Sequence, residues 1–390
     1  MQQIKQLSEA DYDEVSALSQ FAFQYELSED ELIKNKEEVA RHTIWGWIEE
    51  DKLAAKVHVI PLSVLINGQP FKMGGVAGVA TWPEYRRSGI VKKLLFHALK
   101  EMKKDGQIVS YLHPFSIPFY RKFGWEVGFN DKKYIIPIES LKRKWNVDGY
   151  VRKVPATNKV LQRIYGNFAK NYNGALIRDE KWWEQRVLND KSNIVVAYNH
   201  DDYAVGYLMY HVKENVLTLK EMAYETLDGW KQLLEFIGNH DSMAKEVRMT
   251  VPENDHLPLL LDEPRFEQKI EPYFMMRIVD VPAFLKTYPF LKHSTKGTVT
   301  LHVVDSFLEE NSGSYQLTQI GSETEVHYKP LQEEAEDGIY CSVQYLAQML
   351  FSYKRPLELY QLGLIQGVQK DIEQFDHLIP KQQTLLTDFF

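Results

Sequence analysis

A basic stretch follows a proline turn in the first quarter of this 390-residue sequence. Arg86, Arg87 and Gly89 stand directly before a run whose apolar residues recur at helical spacing. A helix that begins just after a glycine presents free backbone N–H groups and the positive end of its dipole, and both attract anions. Because glycine has no Cβ, a phosphate can approach the backbone closely. The pattern predicts an anion site, although an amphipathic helix with a solvated basic face would show the same residues.

Charge is distributed unevenly along the chain, whose formal net charge is −8. Seven basic and two acidic residues lie between Trp82 and Lys104, whereas eight basic and fourteen acidic residues lie between Lys286 and Phe390. An acidic protein with one basic island favours a local anion site. The island lacks the interleaved aromatic residues on which bases stack, so we expect no nucleic-acid binding.

The basic stretch belongs to a predicted mixed α/β unit over residues 1 to about 141. Hydrophobic periodicity predicts helices at 8–25, 30–42 and 89–104 and strands at 43–49, 53–66, 75–82 and 107–112. The basic stretch therefore joins a strand to a helix. Residues 142–159 are polar without a clear period and indicate a connection.

A second α/β unit is expected up to about residue 281, as a diverged repeat of the first. Its predicted strands are 193–198, 203–212 and 216–224, and its predicted helix is 228–238. The strand-to-helix junction Ala223-Tyr-Glu-Thr-Leu-Asp-Gly-Trp230 has neither the arginines nor the glycine spacing of the first junction. We therefore expect no cofactor in this second unit.

Prolines and a glycine between residues 281 and 297 predict a further boundary. Beyond it, the pattern predicts strands at 298–305, 313–320 and 324–329 and then helices at 342–351 and 365–375. Strands followed by helices are typical of an α+β module.

The single cysteine, Cys341, excludes intramolecular disulfides and any metal site built from several cysteines. We expect it in the core of a late helical segment rather than as a nucleophile. His200, Asp201 and Asp202 indicate a turn, and no metal site is expected.

The sequence begins without the apolar core of a signal peptide and contains no apolar run of roughly 18 residues, so we expect a cytoplasmic protein that binds no membrane.

The loop Arg86-Arg-Ser-Gly-Ile-Val91 resembles the acetyl-coenzyme A signature Q/R-x-x-G-x-G/A of the GNAT superfamily, in the same strand-turn-helix setting. Val91 departs from the small last residue and resembles the R-R-x-G-L-hydrophobic loop of the Eis (enhanced intracellular survival) family. The resemblance covers the whole chain and implies an α/β (α+β) fold in three domains. These are an N-terminal GNAT domain at 1–145, a degenerate GNAT domain at 146–284 and a sterol-carrier-protein-like domain at 285–390. It also implies a homo-hexamer.

The same resemblance implies acetyl-coenzyme A as the acetyl donor. The backbone of Val79, Ala80 and Thr81 would pair with the pantetheine and the acetyl group as an extra strand would. Phe115 and Ser116, which depart from the family's commoner Ser-Glu pair, would make further contacts. The pyrophosphate would lie on the loop formed by Arg86, Arg87, Ser88, Gly89, Ile90, Val91 and Lys92.

Acetyl transfer to an amine requires a neutral nucleophile and an acid for the departing thiolate. The resemblance implies Tyr120 as that acid, and a tyrosine pKa of about 10 keeps it protonated at neutral pH. Without the family resemblance, the aromatic residues around Tyr120 would equally indicate that it is a core residue.

The base implied by the resemblance is the terminal carboxylate of Phe390, whose apolar tail could bury it and raise its pKa. His113 and Glu26 are alternative bases.

Acidic and aromatic side chains near the expected site favour a cationic acceptor such as a polyamine or an aminoglycoside. The candidate lining residues are Tyr25, Glu26 and Asp388. Two other functions stay open at this point. One is acetylation of protein lysines, and the other is lipid binding or scaffolding through the C-terminal domain.

Overall fold

A computed structural model describes residues 3–156, 159–188, 191–292, 297–320, 323–331 and 337–390 of the chain. Part of the predicted boundary at 281–297 lies outside these residues. The strands are β1 (Gln3–Leu7), β2 (Thr43–Glu49), β3 (Lys52–Ile66), β4 (Gln69–Thr81), β5 (Val109–Leu112), β6 (Glu126–Val127), β7 (Asn130–Pro137), β8 (Tyr150–Lys153), β9 (Asn193–Tyr198), β10 (Ala204–Lys213), β11 (Val216–Tyr224), β12 (Glu246–Val251), β13 (Glu267–Pro272), β14 (Met275–Ile278), β15 (Thr298–Val304), β16 (Gly313–Ile320), β17 (Glu323–Lys329) and β18 (Ile339–Ser342).

The helices alternate with these strands in the first two thirds of the chain and follow them near its end. They are α1 (Tyr12–Phe23), α2 (Glu29–Val39), α3 (Ile90–Lys104), α4 (Ile117–Arg121), α5 (Val160–Ala169), α6 (Glu180–Trp182), α7 (Leu227–Gly238), α8 (Val281–Thr287), α9 (Val343–Leu350), α10 (Pro356–Gln361) and α11 (Gln369–Leu378). None of the helices in the described ranges is both long and apolar enough to span a bilayer.

Tertiary contacts divide the chain into two compact units. Unit 1 contains Met1–Gly128, Phe274–Lys381 and Asp388–Phe390, and unit 2 contains Phe129–Tyr273 and Gln382–Thr387. The mixed α/β class predicted from the sequence is confirmed.

Unit 1 contains a seven-stranded sheet in the order β1-β2-β3-β4-β5-β14-β6. Strands β1 to β4 are antiparallel neighbours, whereas β4 and β5 run parallel. Helix α3 packs on one face of the sheet through Leu94, Leu95 and Leu99. Helix α1 packs on the opposite face through Val15 and Leu18. Two helical layers therefore cover the strands that carry the predicted site.

Unit 1 also contains a four-stranded sheet in the order β17-β16-β15-β18. Its strand β15 begins and ends close to the prediction, and Cys341 lies buried in β18. Cys341 is therefore a core residue, as expected, but the prediction of a helical segment around it was wrong. The last predicted helix was also displaced, because Gly367 has a φ of 156° and the following helix α11 begins only at Gln369.

Unit 2 contains the other seven-stranded sheet, in the order β13-β7-β12-β11-β10-β9-β8. Strands β9 and β11 have the predicted bounds. Strand β8 lies inside the stretch 142–159, so the prediction of an irregular connection there was wrong. Residues Gln382–Thr387 also belong to this unit, and Asn173 accepts the backbone N–H of Leu385 at 2.9 Å.

Candidate active site

Strand β4 carries a bulge opposite β3. Lys56 pairs with Ala80 and His58 pairs with Ala77, so Val57 alone lies opposite two residues, Gly78 and Val79. Gly78 has a φ of +53°, in the left-handed region that glycine adopts without strain. A bulge disrupts the ladder locally and re-aims the backbone groups of the extra residue. At the bulge, the backbone N–H and C=O groups of Gly78 and Val79 therefore do not follow the regular hydrogen-bond pattern between β3 and β4.

The other edge of β4 is only partly covered. Residues 73–76 pair with β5, and no described strand pairs with residues 77–81 on that edge. Strands β4 and β5 are parallel and are followed by helices α3 and α4, respectively. Ligands of α/β sheets bind in the crevice at the carboxyl ends of parallel strands. The backbone of Val79, Ala80 and Thr81 therefore lies on an edge that an extended ligand can use as it would a neighbouring strand.

The loop after β4 ends in a free helix N-terminus. Arg87 has a φ of 64° and Gly89 a φ of 79°, and α3 begins at the next residue. The first helical backbone donor is Lys93, which bonds Gly89 at 3.3 Å, and the amides of the three preceding residues have no partner among the described residues. No atom lies within 4 Å of a Cβ built on Gly89. The loop is an open cradle of backbone N–H groups.

The side chains of this loop divide into two groups. Arg86, Arg87 and Lys92 are exposed at the loop. Ile90 is buried and Val91 is half-buried in the core beneath α3. These two residues can offer only their backbone amides. The first turn of α3 contains no acidic residue, so no carboxylate of its own occupies the positive end of the helix dipole.

Internal hydrogen bonds hold the loop in shape. Arg86 Nε donates to the carbonyl of Thr81 at 3.3 Å, and Ser88 Oγ donates to the carbonyl of Tyr85 at 2.6 Å. At the start of the loop, the ring of Trp82 lies 4.7 Å from that of Phe21. Phe21 is half exposed at the end of α1, as is Phe23. An exposed aromatic surface therefore adjoins the loop.

Tyr120 lies on α4, the short helix that follows β5. It is buried, and its ring packs 5.1 Å from Phe119, 5.4 Å from Phe115 and 6.3 Å from Trp125. Burial raises the pKa of Tyr120 well above its ordinary value of 10. The phenol therefore stays protonated at neutral pH, as an acid must, while it also belongs to the core. Phe115 is exposed and Ser116 is half-buried at the start of the same helix.

The last residues of the sequence lie against the middle of β4 and the end of β5. The buried Phe390 packs against Gly75 of β4 and lies 5.0 Å from Phe274, ring to ring. The exposed ring of Phe389 lies 5.1 Å from that of His113, which follows β5 directly. Phe390 and His113, two of the predicted candidate bases, are thus found near the open edge of β4.

The other predicted acceptor residues occupy different surroundings. Tyr25 and Glu26 are exposed just beyond α1, where Gln24 ends the helix with a left-handed φ of 56°. Asp388 is buried. Tyr25 and Glu26 are accessible to a ligand from solvent, whereas the side chain of Asp388 is buried in the C-terminal segment.

Three basic residues on the α1 face of the sheet were missed by the sequence analysis. Lys56 is fully buried, and its Nζ lies 2.8 Å from His58 Nε2 and 3.1 Å from the carbonyl oxygen of Gly78. His58 Nδ1 lies 3.2 Å from His42 Nδ1. Burial lowers the pKa of Lys56 to about 7, and burial together with Lys56 and His42 lowers the pKa of His58. The signal was available, because these polar residues interrupt an otherwise apolar strand.

Comparison with known families agrees with this architecture. Residues 3–128 and 174–278 both match acetyltransferase (GNAT) domain families, and residues 281–387 match a sterol carrier protein domain. Over 250 residues the chain is 23% identical to N-acetyltransferase Eis of Mycobacterium tuberculosis CDC 1551, which covers 59% of this chain and 61% of Eis. The chain belongs to the Eis-type GNAT acetyltransferases. The family and the fold predicted from the sequence are thereby confirmed, and since GNAT domains use acetyl-coenzyme A, so is the predicted cofactor.

Further relatives agree with this placement among the Eis-type GNAT proteins. An uncharacterized N-acetyltransferase of Streptomyces griseus is 23% identical over 274 residues, 62% of this chain and 64% of that protein. The chain thus matches less than two thirds of the length of these curated relatives. A probable N-acyltransferase of unknown function from Enterococcus faecalis V583 superimposes over all of both chains with a TM-score of 0.92 and 26% identity. Eis1 of Mycobacterium abscessus shares the fold, with a TM-score of 0.83 and 18% identity over both whole chains.

The second GNAT domain differs from the first at the equivalent junction between β11 and α7. Thr226 caps α7 by accepting the backbone N–H of Gly229 at 3.0 Å, and Asp228 places a carboxylate in the first turn. The protein's own side chains therefore satisfy part of this helix N-terminus. Among the described residues, this junction has no counterpart of the open loop at Gly89.

Proposed function

We propose that this protein transfers the acetyl group of acetyl-coenzyme A directly to a primary amine of a polycationic small molecule. The proposal rests on one observation, that the open edge of β4 and the free N-terminus of α3 occur together in the same unit. The first suits an extended pantetheine chain, and the second suits a pyrophosphate. Both features lie in unit 1, joined by the loop at residues 82–89.

The proposed binding follows from the chemistry of the residues present. Backbone N–H groups at the start of α3 and the side chains of Arg86, Arg87 and Lys92 would hold the pyrophosphate. The edge of β4 would pair with the pantetheine, and the N–H of Val79 would donate to the thioester oxygen. Bound acetyl-coenzyme A supplies the acetyl group as a thioester.

The transfer forms a C–N bond between the amine and the acetyl carbon and breaks the C–S bond, whose electron pair stays on sulfur. Tyr120 is the proposed acid that donates its proton to this sulfur. Burial keeps the proton on the Tyr120 oxygen at neutral pH, and a general acid must be in its protonated form.

The amine must lose a proton to a base. We assign this role to the terminal carboxylate of Phe390, with His113 and Glu26 as the alternatives. The contacts of Phe390 with Gly75 and of Phe389 with His113 support a base beside β4 and the end of β5. Glu26 has weaker support because it is exposed beyond α1.

The acceptor is proposed to be an aminoglycoside-like or polyamine-like cation. Exposed aromatic rings at Phe21, Phe23 and Tyr25 can bind a cation by their faces, and the exposed Glu26 adds a negative charge. Asp388 would contribute from the buried tail. Protein lysine would use the same chemistry, and lipid binding by the sterol carrier protein domain is the second candidate function, favoured by the match over 281–387.

One assay separates these candidates. Release of free thiol from acetyl-coenzyme A is measured with an aminoglycoside, with spermine and with a lysine-containing peptide, and the products are weighed by mass spectrometry. The proposal expects the highest kcat/KM for one of the two cations. Equal or better turnover of the peptide would favour the protein acetyltransferase. No thiol release together with copurified lipid in native mass spectrometry would favour lipid binding.

We further propose that the protein is a cytoplasmic homo-hexamer divided at 1–145, 146–284 and 285–390. The order of the three family matches supports the division. Light scattering tests the assembly, with a mass of six 45.6 kDa chains as the expected result. Limited proteolysis with mapping of the cleavage sites tests the boundaries.

A further inference from the structure

Lys56 is a buried lysine that has no acidic partner among the described residues. Its Nζ has two described neighbours, the carbonyl oxygen of Gly78 and Nε2 of His58, and burial is the cause of its lowered pKa. An amine removed from water and left without a carboxylate destabilises the fold. Groups of this kind are candidates for a functional role, because a merely structural position would be filled better by an apolar side chain.

The acceptor of the Lys56 hydrogen bond identifies that role. The carbonyl of Gly78 and the N–H of Val79 belong to one peptide group, which is planar and, in its trans form, directs the two in opposite directions. A positive charge that binds the oxygen draws electron density through the amide and makes the N–H a stronger donor. Lys56 is therefore linked, through one peptide group, to whatever accepts the Val79 N–H.

His58 fixes the same peptide group by packing. A Cβ built on Gly78 would lie 3.0 Å from Cδ2 of the His58 ring, so the ring lies directly against the bulge. Residues 56 and 58 point to one face of the sheet because side chains alternate along a strand. Val57 points to the other face, into the core beneath α3. Lys56 and His58 together support the bulge from the α1 side.

We propose that Lys56 is a positioning residue that polarises the peptide group between Gly78 and Val79, so that the Val79 N–H stabilises negative charge on the thioester oxygen during acetyl transfer. This inference rests on the proposed function, because it requires a thioester at the open edge of β4. Loss of one donor to such an oxygen lowers kcat by roughly 10²–10³-fold. Loss of polarisation alone should cost less, about tenfold.

The polarising effect depends on the charge of Lys56. Among the described residues, the titratable groups in contact with Lys56 or with its partner are His58 of β3 and His42 before β2. Helix α1 carries Glu14, which accepts the backbone N–H of Leu53, and the terminal residue Phe390 packs on the same sheet face at Gly75. Residues 73–81 of β4 carry no ionisable side chain. With a pKa of about 7, Lys56 loses its charge as the pH rises through neutrality, and the effect should fade with it. Half-buried His42 lines a cavity of about 500 Å³ and gives the buried amine a route for proton exchange.

The test compares Lys56→Gln, Lys56→Met and wild type, with Lys72→Gln, an exposed lysine of β4, as the matched control. Gln keeps a donor for Gly78 but has no charge, whereas Met has neither. Steady-state kinetics gives kcat and KM, and isotope-edited infrared spectroscopy gives the carbonyl stretch of bound [1-13C]acetyl-coenzyme A. The melting temperature and cofactor affinity of each variant are measured alongside.

We expect Lys56→Gln to lower kcat about tenfold at pH 6 and to differ less from wild type at pH 8.5, with KM for acetyl-coenzyme A nearly unchanged. Its carbonyl band should move toward the frequency of the free thioester. In wild type the same band should move in that direction between pH 6 and 8.5, which tests the proposal even if a variant fails to fold. Lys72→Gln should match wild type.

Two results would overturn the proposal. The first is a Lys56→Gln enzyme with the kcat and carbonyl band of wild type at both pH values. The second is a wild-type band that does not move with pH. Either leaves the proposed function standing, since wild type still transfers acetyl groups. Failure of the proposed function itself is a different result, in which wild type neither binds acetyl-coenzyme A nor releases thiol with any amine.

Discussion

The ring of Phe390 occupies the space that a side chain on Gly75 would fill. A Cβ built on Gly75 would lie 2.7 Å from Cε2 of Phe390, closer than real Cβ atoms approach a neighbour. Gly74 faces the other side of the sheet, where its Cβ would meet Met102 of α3. Phe390 therefore packs on Gly75, on the same sheet face as Lys56 and His58.

Gly75→Ala should displace Phe390 and lower kcat tenfold or more, because a general base contributes about 10²–10⁴-fold and must stay within hydrogen-bond reach of its proton. Cofactor affinity should be unchanged, since the loop at Gly89 is untouched. Steady-state kinetics and calorimetric titration measure the two effects. Gly166→Ala, where a Cβ meets no atom within 4 Å, is the matched control and should retain full turnover.

The role of the Phe390 carboxylate has a separate test. Appending one glycine replaces the carboxylate at this position by a neutral amide, so turnover should fall while melting temperature and cofactor affinity persist. Deleting Phe390 should act similarly, since the new end would fall about 3.5 Å short. Full activity of the extended enzyme would rule out the carboxylate and make His113→Ala and Glu26→Gln the next variants to measure.

Tyr120→Phe should lower kcat by roughly 10²–10⁴-fold and leave cofactor affinity nearly unchanged, because it removes only the proposed acid. Since burial raises the pKa of Tyr120 above 10, deprotonation of this residue should produce no loss of kcat at pH values below 10. The pH profile of kcat checks this point. Tyr210→Phe, a buried tyrosine of the second GNAT domain, is the control. Equal turnover of the two variants would return Tyr120 to a purely structural role.

Arg87→Glu should weaken acetyl-coenzyme A binding strongly, because it places a negative charge beside the helix N-terminus that binds the pyrophosphate. Lys104→Glu makes the same charge change at the far end of α3 and should have little effect. Isothermal titration calorimetry of wild type should give one cofactor per chain, as the capped junction at Thr226 leads us to expect. A stoichiometry of two would disprove the single-site hypothesis.

Lys56→Met should change the pH dependence of stability. The pKa of Lys56 is about 7 in the fold and 10.5 in the unfolded chain, so between these values the unfolded chain binds more protons. The contribution of Lys56 to the free energy of unfolding therefore rises with pH between these two pKa values, by at most about 1.4 kcal/mol per pH unit. The variant should lose this rise and should gain most stability relative to wild type at or below pH 7. Denaturant unfolding from pH 6 to 9 measures the slope, with Lys72→Met as the control, and an unchanged slope would contradict the lowered pKa.

Local sequence patterns were enough to predict the elements that carry the site. Helix α3 begins within a residue of its predicted start, because helical periodicity and the φ of Gly89 depend on neighbouring residues only. The same holds for strands β9, β11 and β16, whose bounds are as predicted. The loop motif was also sufficient to identify the family.

Contacts between residues far apart in the sequence depend on long-range packing. Strand β14 inserts between β5 and β6, and β7 pairs in the second sheet, because strand partners are selected by packing over long sequence separations. The burial of Lys56 and the contact of Phe390 with Gly75 have the same origin. Neighbouring residues specify elements such as α3 and β9, whereas the pKa of Lys56 and the position of Phe390 depend on surroundings that only the folded chain assembles.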